Sequence, residues 1–192
     1  MLTTNLIETL DLHSERKSPT SLLKLAIVGK VIDLGQGDRV VDFGCGSGET
    51  LVLWATCFGI SGIGIDADEK ACARAERLVS ERGLEDRIQI VCTDASRYEF
   101  ESGAFDVAVC IGASMIWGGF RSSLQHMREA LDSNGEIVFG EPYYTSTGVP
   151  EELIEYEGPF HTEPELFDIA NEEDFEIGYV ARSNADDWDQ YM

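Results

Sequence analysis

Three glycines separated by single residues are the feature of this sequence that most directly suggests chemistry. Gly44, Gly46 and Gly48 follow the short β-branched run 39–43 and precede the apolar stretch 49–58. Glycine has no Cβ, so it tolerates positive φ angles in a tight turn and lets a ligand approach the backbone. The helix that follows would direct its amino terminus at that ligand, which favours a negatively charged group such as a carboxylate. The glycines alone leave a purely structural turn as an alternative.

Two aspartates follow at spacings typical of nucleotide-binding sites. Asp66 lies about 20 residues beyond the glycine turn, where an acidic side chain commonly accepts hydrogen bonds from ribose hydroxyls. Asp94 follows the next predicted strand, where a carboxylate could accept from the exocyclic amine of adenine. Taken singly, either aspartate is more readily explained as a turn residue or helix cap. Three successive strand ends that carry suitable groups favour a ligand site.

Four segments resemble the successive motifs of the class I S-adenosylmethionine-dependent methyltransferases: VDFGCGSGE, GIGIDAD, CTDAS and FDVAVCIGAS. The resemblance covers about residues 20–142. It implies S-adenosylmethionine as the cofactor, with Asp42 holding its ammonium, Asp66 its ribose and Asp94 beside its adenine. The cofactor-binding residues that it implies are Asp42, Gly44, Cys45, Gly46, Gly48, Asp66, Ala67, Asp94, Ala95, Cys110 and Ile111.

A nicotinamide dinucleotide enzyme is the nearest alternative, because its strand, turn and acidic residue are arranged in the same way. Its GxGxxG fingerprint would place a third glycine where this chain has Glu49, and the spacing found here is GxGxG. A carboxylate at that helix start would also oppose a pyrophosphate, whereas the sulfonium cofactor carries no phosphate. A domain that binds the cofactor without catalysing a reaction is a second alternative.

The methyl acceptor is expected to be a small molecule. The Asn/Asp-Pro-Pro-Tyr motif, which in the family marks nitrogen methylation of nucleobases or glutamine, is absent after the fourth predicted strand, where Cys-Ile-Gly-Ala-Ser stands instead. Segments 13–20, 114–119 and 141–144 should border the acceptor pocket. The expected pocket residues are Trp117, Tyr143 and Tyr144, for which aromatic core packing is an equally good explanation.

Methyl transfer is an in-line displacement at carbon, so alignment of the acceptor and exclusion of water matter more than any single group. Glu141 stands where a general base could work, although a strand-end carboxylate can also serve only nearby backbone groups. His126 and His161 are weaker candidates, the first within a predicted helix and the second in an acidic segment. With three histidines and no CxxC pair, we expect no metal site.

Hydrophobic periodicity and turn residues predict alternating helices and strands. The predicted helices cover 20–34, 49–58, 69–82, 121–131 and 165–171, and the predicted strands cover 39–43, 62–65, 88–92, 105–111, 135–140 and 175–181. This alternation indicates an α/β fold, a Rossmann-like three-layer sandwich with a mostly parallel central sheet. The family's final antiparallel strand is expected to be missing or atypical, and the helix-like ending at 186–191 favours a truncated chain.

A chain of 192 residues is long enough for one substantial core and too short for two ordinary domains. We therefore expect a single domain over residues 1–192. Within it, 1–37 forms an N-terminal cap and helix, 38–142 forms the cofactor-binding core, and 143–192 forms a substrate-side and C-terminal segment.

The charge balance restricts the partners. Fourteen basic residues against 36 acidic ones give a formal net charge of −22 at pH 7, which repels nucleic acid and anionic membranes. No stretch is apolar enough to span a bilayer, and residues 1–11 lack the pattern of a signal peptide. The five cysteines are scattered and odd in number, as expected for free thiols. We expect a cytoplasmic protein with a small-molecule substrate, and the sequence does not indicate an oligomeric state.

Overall fold

The computed structural model describes residues 18–157, 160–184 and 187–188. Helices and strands alternate along this part of the chain, and short 3₁₀ helices at Ala95–Arg97 and Ser114–Trp117 follow the third and fourth strands. In chain order the elements are α1 (Leu22–Val31), β1 (Arg39–Phe43), α2 (Glu49–Phe58), β2 (Ser61–Asp66), α3 (Glu69–Glu81), β3 (Ile88–Cys92), β4 (Phe105–Ile111), α4 (Phe120–Ala130), β5 (Leu131–Gly140), α5 (Glu151–Glu157) and α6 (Glu163–Glu172).

The strands form one parallel five-stranded sheet in the order β3-β2-β1-β4-β5. β1 lies at the centre, where Asp42 is paired with Gly64 of β2 and Val109 of β4. Parallel neighbours need a crossover connection, and α2, α3 and α4 each supply one. The carboxyl ends of β1, β2 and β4 therefore meet at one edge. This topology confirms the predicted α/β, Rossmann-like architecture.

Helices cover both faces of the sheet. Alternate side chains of β1 point to opposite faces, so each face has its own cluster of buried residues. Val40 packs into a cluster with α1, α2 and α3 that includes the buried Trp54. Phe43 packs on the other face with Met127 of α4. The indole N–H of Trp54 donates to the carbonyl of Leu25 at 2.9 Å, which joins α2 to α1. The result is three layers, helix on sheet on helix.

The strand predicted over 175–181 is wrong. Apolar residues alternate there, but residues 175–184 form no helix or strand and pair with no neighbour in the described sheet. The backbone N–H of Phe175 donates to the Ala170 carbonyl at 2.9 Å and closes the end of α6, while its ring lies 4.2 Å from the Arg128 guanidinium. Ile177 and Tyr179 are exposed. Alternation predicts a strand only where another strand supplies hydrogen bonds.

Ser183 and Asp187 contact the start of the described region. Lys24 forms an ion pair with Asp187, and the Ser183 hydroxyl donates to the Pro19 carbonyl at 3.3 Å. Residues 187–188 are helical, whereas residues 186 and 189–191 of the predicted helix-like ending lie outside the described residues. No antiparallel strand occurs within the described ranges. None of the helices in that same part of the chain combines the length and apolarity that a bilayer-spanning segment requires.

Gly44 determines how closely the turn after β1 approaches the segment after β4. Its φ is +76°, and an added Cβ would lie 2.4 Å from the Cβ of Ala113. Only glycine combines this backbone conformation with so close an approach. The contact joins the two strand ends that form the centre of the sheet edge.

We expect Gly44→Ala to lower the free energy of unfolding by about 2–4 kcal/mol, because it adds a steric clash to the cost of a positive φ. Gly46→Ala is the matched control, since Gly46 has a φ of +56° and nothing lies within 4 Å of an added Cβ. That variant should lose only the backbone cost of about 1–2 kcal/mol. Urea unfolding followed by circular dichroism measures both, and equal losses would contradict the packing argument.

Candidate functional site

A pocket lies at the carboxyl-terminal edge of the sheet, between the glycine turn and the segment before α1. Its lining residues are Ser18, Thr20, Leu25, Asp42, Gly44, Cys45, Gly46, Ser47, Glu49, Thr50 and Ile111. Five of the residues expected to bind the cofactor are among them: Asp42, Gly44, Cys45, Gly46 and Ile111. The N-terminal segment expected over 13–20 contributes Ser18 and Thr20, and 13–17 lie outside the described residues.

A larger groove of about 360 Å³ lies at the opposite edge, at the amino-terminal ends of the strands. It is lined by residues such as Arg39, Glu85 and Arg87 and contains none of the predicted site residues. In open parallel sheets, ligands bind outside the carboxyl ends of the strands. The smaller pocket is therefore the candidate site.

Backbone hydrogen bonds fold the glycine turn onto the end of β2. The N–H groups of Gly44 and Cys45 both donate to the Ile65 carbonyl, at 2.8 and 3.1 Å. The N–H of Gly48 donates to the Cys45 carbonyl at 2.9 Å, and Gly48 begins α2 without a side-chain cap. Gly46 stands at the tip, where an added Cβ would meet no atom of the protein within 4 Å. This open backbone is the surface that a ligand could approach.

Asp42 is a buried acid in the wall of the pocket, with only 3% of its surface exposed. Burial first, and then the negative charges of Asp66 and Glu49, raise the pKa of Asp42 to about 8. Near neutral pH the carboxyl group is therefore mostly protonated in the free protein. A cation bound beside it would favour the ionised form and reverse this shift.

The charge of the pocket discriminates between ligands. None of its lining residues in the described part of the chain is basic, and two of them, Asp42 and Glu49, are acidic. Among these lining residues a pyrophosphate would meet acidic groups and no basic one. An ammonium group, such as that of the methionine portion of S-adenosylmethionine, fits the donor set. The residues present therefore suit the cofactor that the sequence motifs imply.

Asp66 closes the glycine turn as well as standing in the position expected for ribose binding. One carboxylate oxygen accepts from the N–H of Gly46 at 2.8 Å, and the other accepts from the N–H of Asp68 at 2.9 Å. Each carboxylate oxygen has two lone pairs, so both retain capacity for a ligand hydroxyl. Ala67 lies exposed beside it. The link between Asp66 and Gly46 was not foreseen from the sequence.

Asp94 acts as a helix cap. Its carboxylate accepts from the N–H and the hydroxyl of Ser96, at 3.0 and 2.7 Å, at the start of the 3₁₀ helix Ala95–Arg97. These bonds, with the charge of Arg97, lower the pKa of Asp94. Ala95 is buried, and neither residue lines the pocket. The structure thus gives Asp94 the capping role that the sequence left open, and a contact with adenine remains a prediction.

Cys110 and Ile111 end β4, the neighbour of the central strand β1. Cys110 is fully buried, and burial together with the charges of Asp42 and Glu141 raises the pKa of its thiol to about 12. The thiol is therefore protonated at neutral pH. Ile111 reaches the pocket, and the following Gly112 donates its N–H to the Gly140 carbonyl at 2.8 Å.

The three aromatic residues predicted for the acceptor pocket lie in different surroundings. The Trp117 ring packs edge-on against Phe43 at 5.0 Å and stacks on His126 at 5.4 Å. Tyr144 donates its N–H to the His161 carbonyl at 3.0 Å, in the segment before α6. Tyr143 is half-buried. Trp117 therefore joins the core cluster beneath the sheet edge, and Tyr144 fastens the chain after β5 to the approach to α6.

Glu141 and Ser114 form a pair that the sequence did not indicate. The Ser114 hydroxyl donates to Oε1 of Glu141 at 2.8 Å, and the other carboxylate oxygen, Oε2, is buried without a partner among the described residues. Burial raises the pKa of Glu141, while the bond from Ser114 opposes the shift. Both residues lie in segments predicted to border the acceptor pocket, but their pairing has no sequence pattern that could have indicated it. In the described residues, no group of acidic, Cys or His side chains could hold a metal ion.

Comparison with known proteins identifies the family. The sequence model of the methyltransferase domain matches residues 40–135, half of the chain. The protein YjhP of Escherichia coli K12 is 32% identical over 179 residues, which are 91% of this chain and 72% of YjhP. A methyltransferase of Geobacter sulfurreducens, solved in complex with S-adenosyl-L-homocysteine, is 31% identical with a TM-score of 0.87, over 100% of this chain and 79% of its own.

A relative with a named acceptor is aklanonic acid methyltransferase DauC of Streptomyces sp. strain C5. It is 28% identical over 126 residues, which cover 63% of this chain and 57% of DauC. The TM-score of the Geobacter protein agrees with the fold described above. The chain belongs to the class I S-adenosylmethionine-dependent methyltransferases.

Proposed function

We propose that the protein transfers the methyl group of S-adenosylmethionine to a small-molecule acceptor by in-line displacement. The observation that carries the proposal is the buried carboxyl group of Asp42, in a pocket without basic lining residues in the described chain and beside the open backbone of Gly46. This arrangement suits a ligand that offers an ammonium group and no phosphate.

Residues of the pocket and Asp66, which is hydrogen-bonded to the pocket residue Gly46, would bind different parts of the cofactor. Asp42 would accept from the ammonium of the methionine portion, and the backbone at Gly46 would lie along it. Asp66 would accept from the ribose hydroxyls with the lone pairs that Gly46 and Asp68 leave free. The bound cofactor supplies an electrophilic methyl group on a sulfonium. The protein's remaining task is to align the acceptor with that methyl group and exclude water.

The net charge of the chain and one of its relatives both support a small-molecule acceptor. A formal net charge of −22 disfavours nucleic acid as a substrate. DauC, one of the relatives, has a small molecule, aklanonic acid, in its name. The family membership and the geometry of the pocket also favour methyl transfer over the two alternatives of a dinucleotide oxidoreductase and a domain without catalysis.

We expect calorimetric titration to give micromolar binding of S-adenosylmethionine and S-adenosylhomocysteine and no binding of NAD. Asp66→Ala should weaken cofactor binding by about 1–3 kcal/mol, because it removes the acceptor of the ribose hydroxyls. Asp106→Asn is the matched control, since Asp106 pairs with Arg39 at 3.2 Å, away from the pocket. Equal affinity of wild type and Asp66→Ala would remove Asp66 from the site, and binding of NAD alone would contradict the function.

Cofactor binding should also release a proton from Asp42. In the free protein the pKa of Asp42 is about 8, so at pH 6 the group is protonated, and an adjacent ammonium favours its ionised form. We expect about one proton released per cofactor bound at pH 6, and an affinity that rises with pH until the pKa of Asp42 is passed. Asp42→Asn should release none. Calorimetry in two buffers of different ionisation enthalpy counts the protons, and unchanged release in Asp42→Asn would contradict this role.

A further inference from the structure

Oε2 of Glu141 is the buried polar side-chain atom of the described residues that has no hydrogen-bond partner. Such atoms are uncommon in folded proteins, because a lost hydrogen bond to water is not replaced, and each one calls for a specific explanation. The other oxygen of the same carboxylate is occupied by Ser114 at 2.8 Å. Oε1 is therefore held by the protein, and Oε2 is available to accept a hydrogen bond from a ligand.

The position of Ser114 is itself fixed. Ser114 is buried in the 3₁₀ helix after β4, and its carbonyl accepts from the hydroxyl of Ser123 on α4 at 3.2 Å. The same hydroxyl, which has a single proton to share, lies 2.8 Å from the Gly119 carbonyl and so bridges the two ends of the loop between β4 and α4. The hydroxyl that orients Glu141 thus belongs to an anchored loop.

Glu141 lies on the cofactor side of the sheet edge. It follows β5 directly, and β5 is paired with β4 through Ile111 and Gly140. The charges of Asp42 and Glu141 both raise the pKa of the Cys110 thiol. The Cys110 side chain is therefore close enough to feel both carboxyl groups. Burial raises the pKa of Glu141, and the hydrogen bond from Ser114 lowers it. No cation among the described residues contributes to this shift.

We propose that Glu141 receives the proton of the methyl acceptor and that Ser114 positions it, so that the acceptor is an O–H or N–H nucleophile. This inference rests on the proposed function. The acceptor's oxygen or nitrogen forms a bond to the methyl carbon, and the carbon–sulfur bond breaks with its electron pair remaining on sulfur. The proton of the acceptor moves to Oε2 of Glu141 and then to solvent. A carboxylate or phosphate acceptor has no such proton and would be repelled by the ionised glutamate.

The acceptor class can be tested by ligand-observed NMR on the full chain saturated with S-adenosylhomocysteine. The probes are three matched pairs: phenol and anisole, catechol and guaiacol, and indole and 1-methylindole. We expect the member with the additional O–H or N–H to bind about tenfold or more tightly, since it alone donates to a charged acceptor. Glu141→Gln should abolish or invert this preference, because an amide N–H₂ can replace the free oxygen. Glu136→Gln, which removes an exposed carboxylate of β5, is the matched control and should retain it.

A second measurement separates positioning from folding. The side-chain carboxyl ¹³C resonance of Glu141, assigned by its loss in Glu141→Gln, should titrate with a midpoint above that of an ordinary glutamate. Ser114→Ala removes a donor that favours the ionised form, so it should move the midpoint to higher pH. A midpoint that Ser114→Ala leaves unchanged would overturn the positioning role.

The outcomes distinguish the two proposals. Equal affinity within the probe pairs, or no binding of any probe to a complex that retains S-adenosylhomocysteine, would overturn the role of Glu141 and leave the proposed function standing. Failure of the folded wild-type protein to bind S-adenosylhomocysteine would instead count against the proposed function.

Discussion

The hydrogen bonds between the glycine turn and the end of β2 are the contacts on which the site depends. Ile65 accepts from two successive N–H groups of the turn, and the Asp66 carboxylate accepts from Gly46. Two strand ends that are neighbours in the parallel sheet are thereby joined into one rigid wall. Because the same carboxylate also stands where a ribose would bind, ligand contact and loop geometry are coupled. Disturbing Asp66 would alter the shape of the turn as well as remove a ligand partner.

Negative charge is the second constraint on this edge of the sheet. Asp42 and Glu141 are both carboxyl groups whose pKa values are raised by burial, and the described residues place no basic side chain in the wall of the pocket. Burying carboxyl groups without a cation opposes stability in the free protein. A bound ammonium or a transferred proton relieves that cost. This is the usual relation between a functional site and the stability of its fold, in which activity needs groups that are unfavourable in isolation.

The sequence predicted the central part of the fold because local and long-range signals agree there. Strands 39–43, 88–92 and 105–111 and helix 49–58 have the predicted bounds, since runs of apolar and β-branched residues in the sequence coincide with the parallel strands and with the helix packed on them. Segment 175–181 does not form the predicted strand, because no neighbouring strand pairs with its alternating apolar residues. For Trp117 and Asp94 the sequence left core packing and helix capping open as alternatives, because the stacking of Trp117 on His126 and the bond from Ser96 to Asp94 depend on groups that periodicity does not bring together. The pairing of Ser114 with Glu141 joins two loops and has no local signature.

A crystal structure of the protein with S-adenosylhomocysteine tests the central claim most directly. We expect the ammonium of the ligand within hydrogen-bonding distance of Asp42, its ribose hydroxyls at Asp66, and its methionine chain along Gly46. The link from Asp66 to Gly46 should be kept. A ligand in the groove at the amino-terminal edge, or one whose carboxylate faces Asp42 in place of its ammonium, would contradict this account of the site.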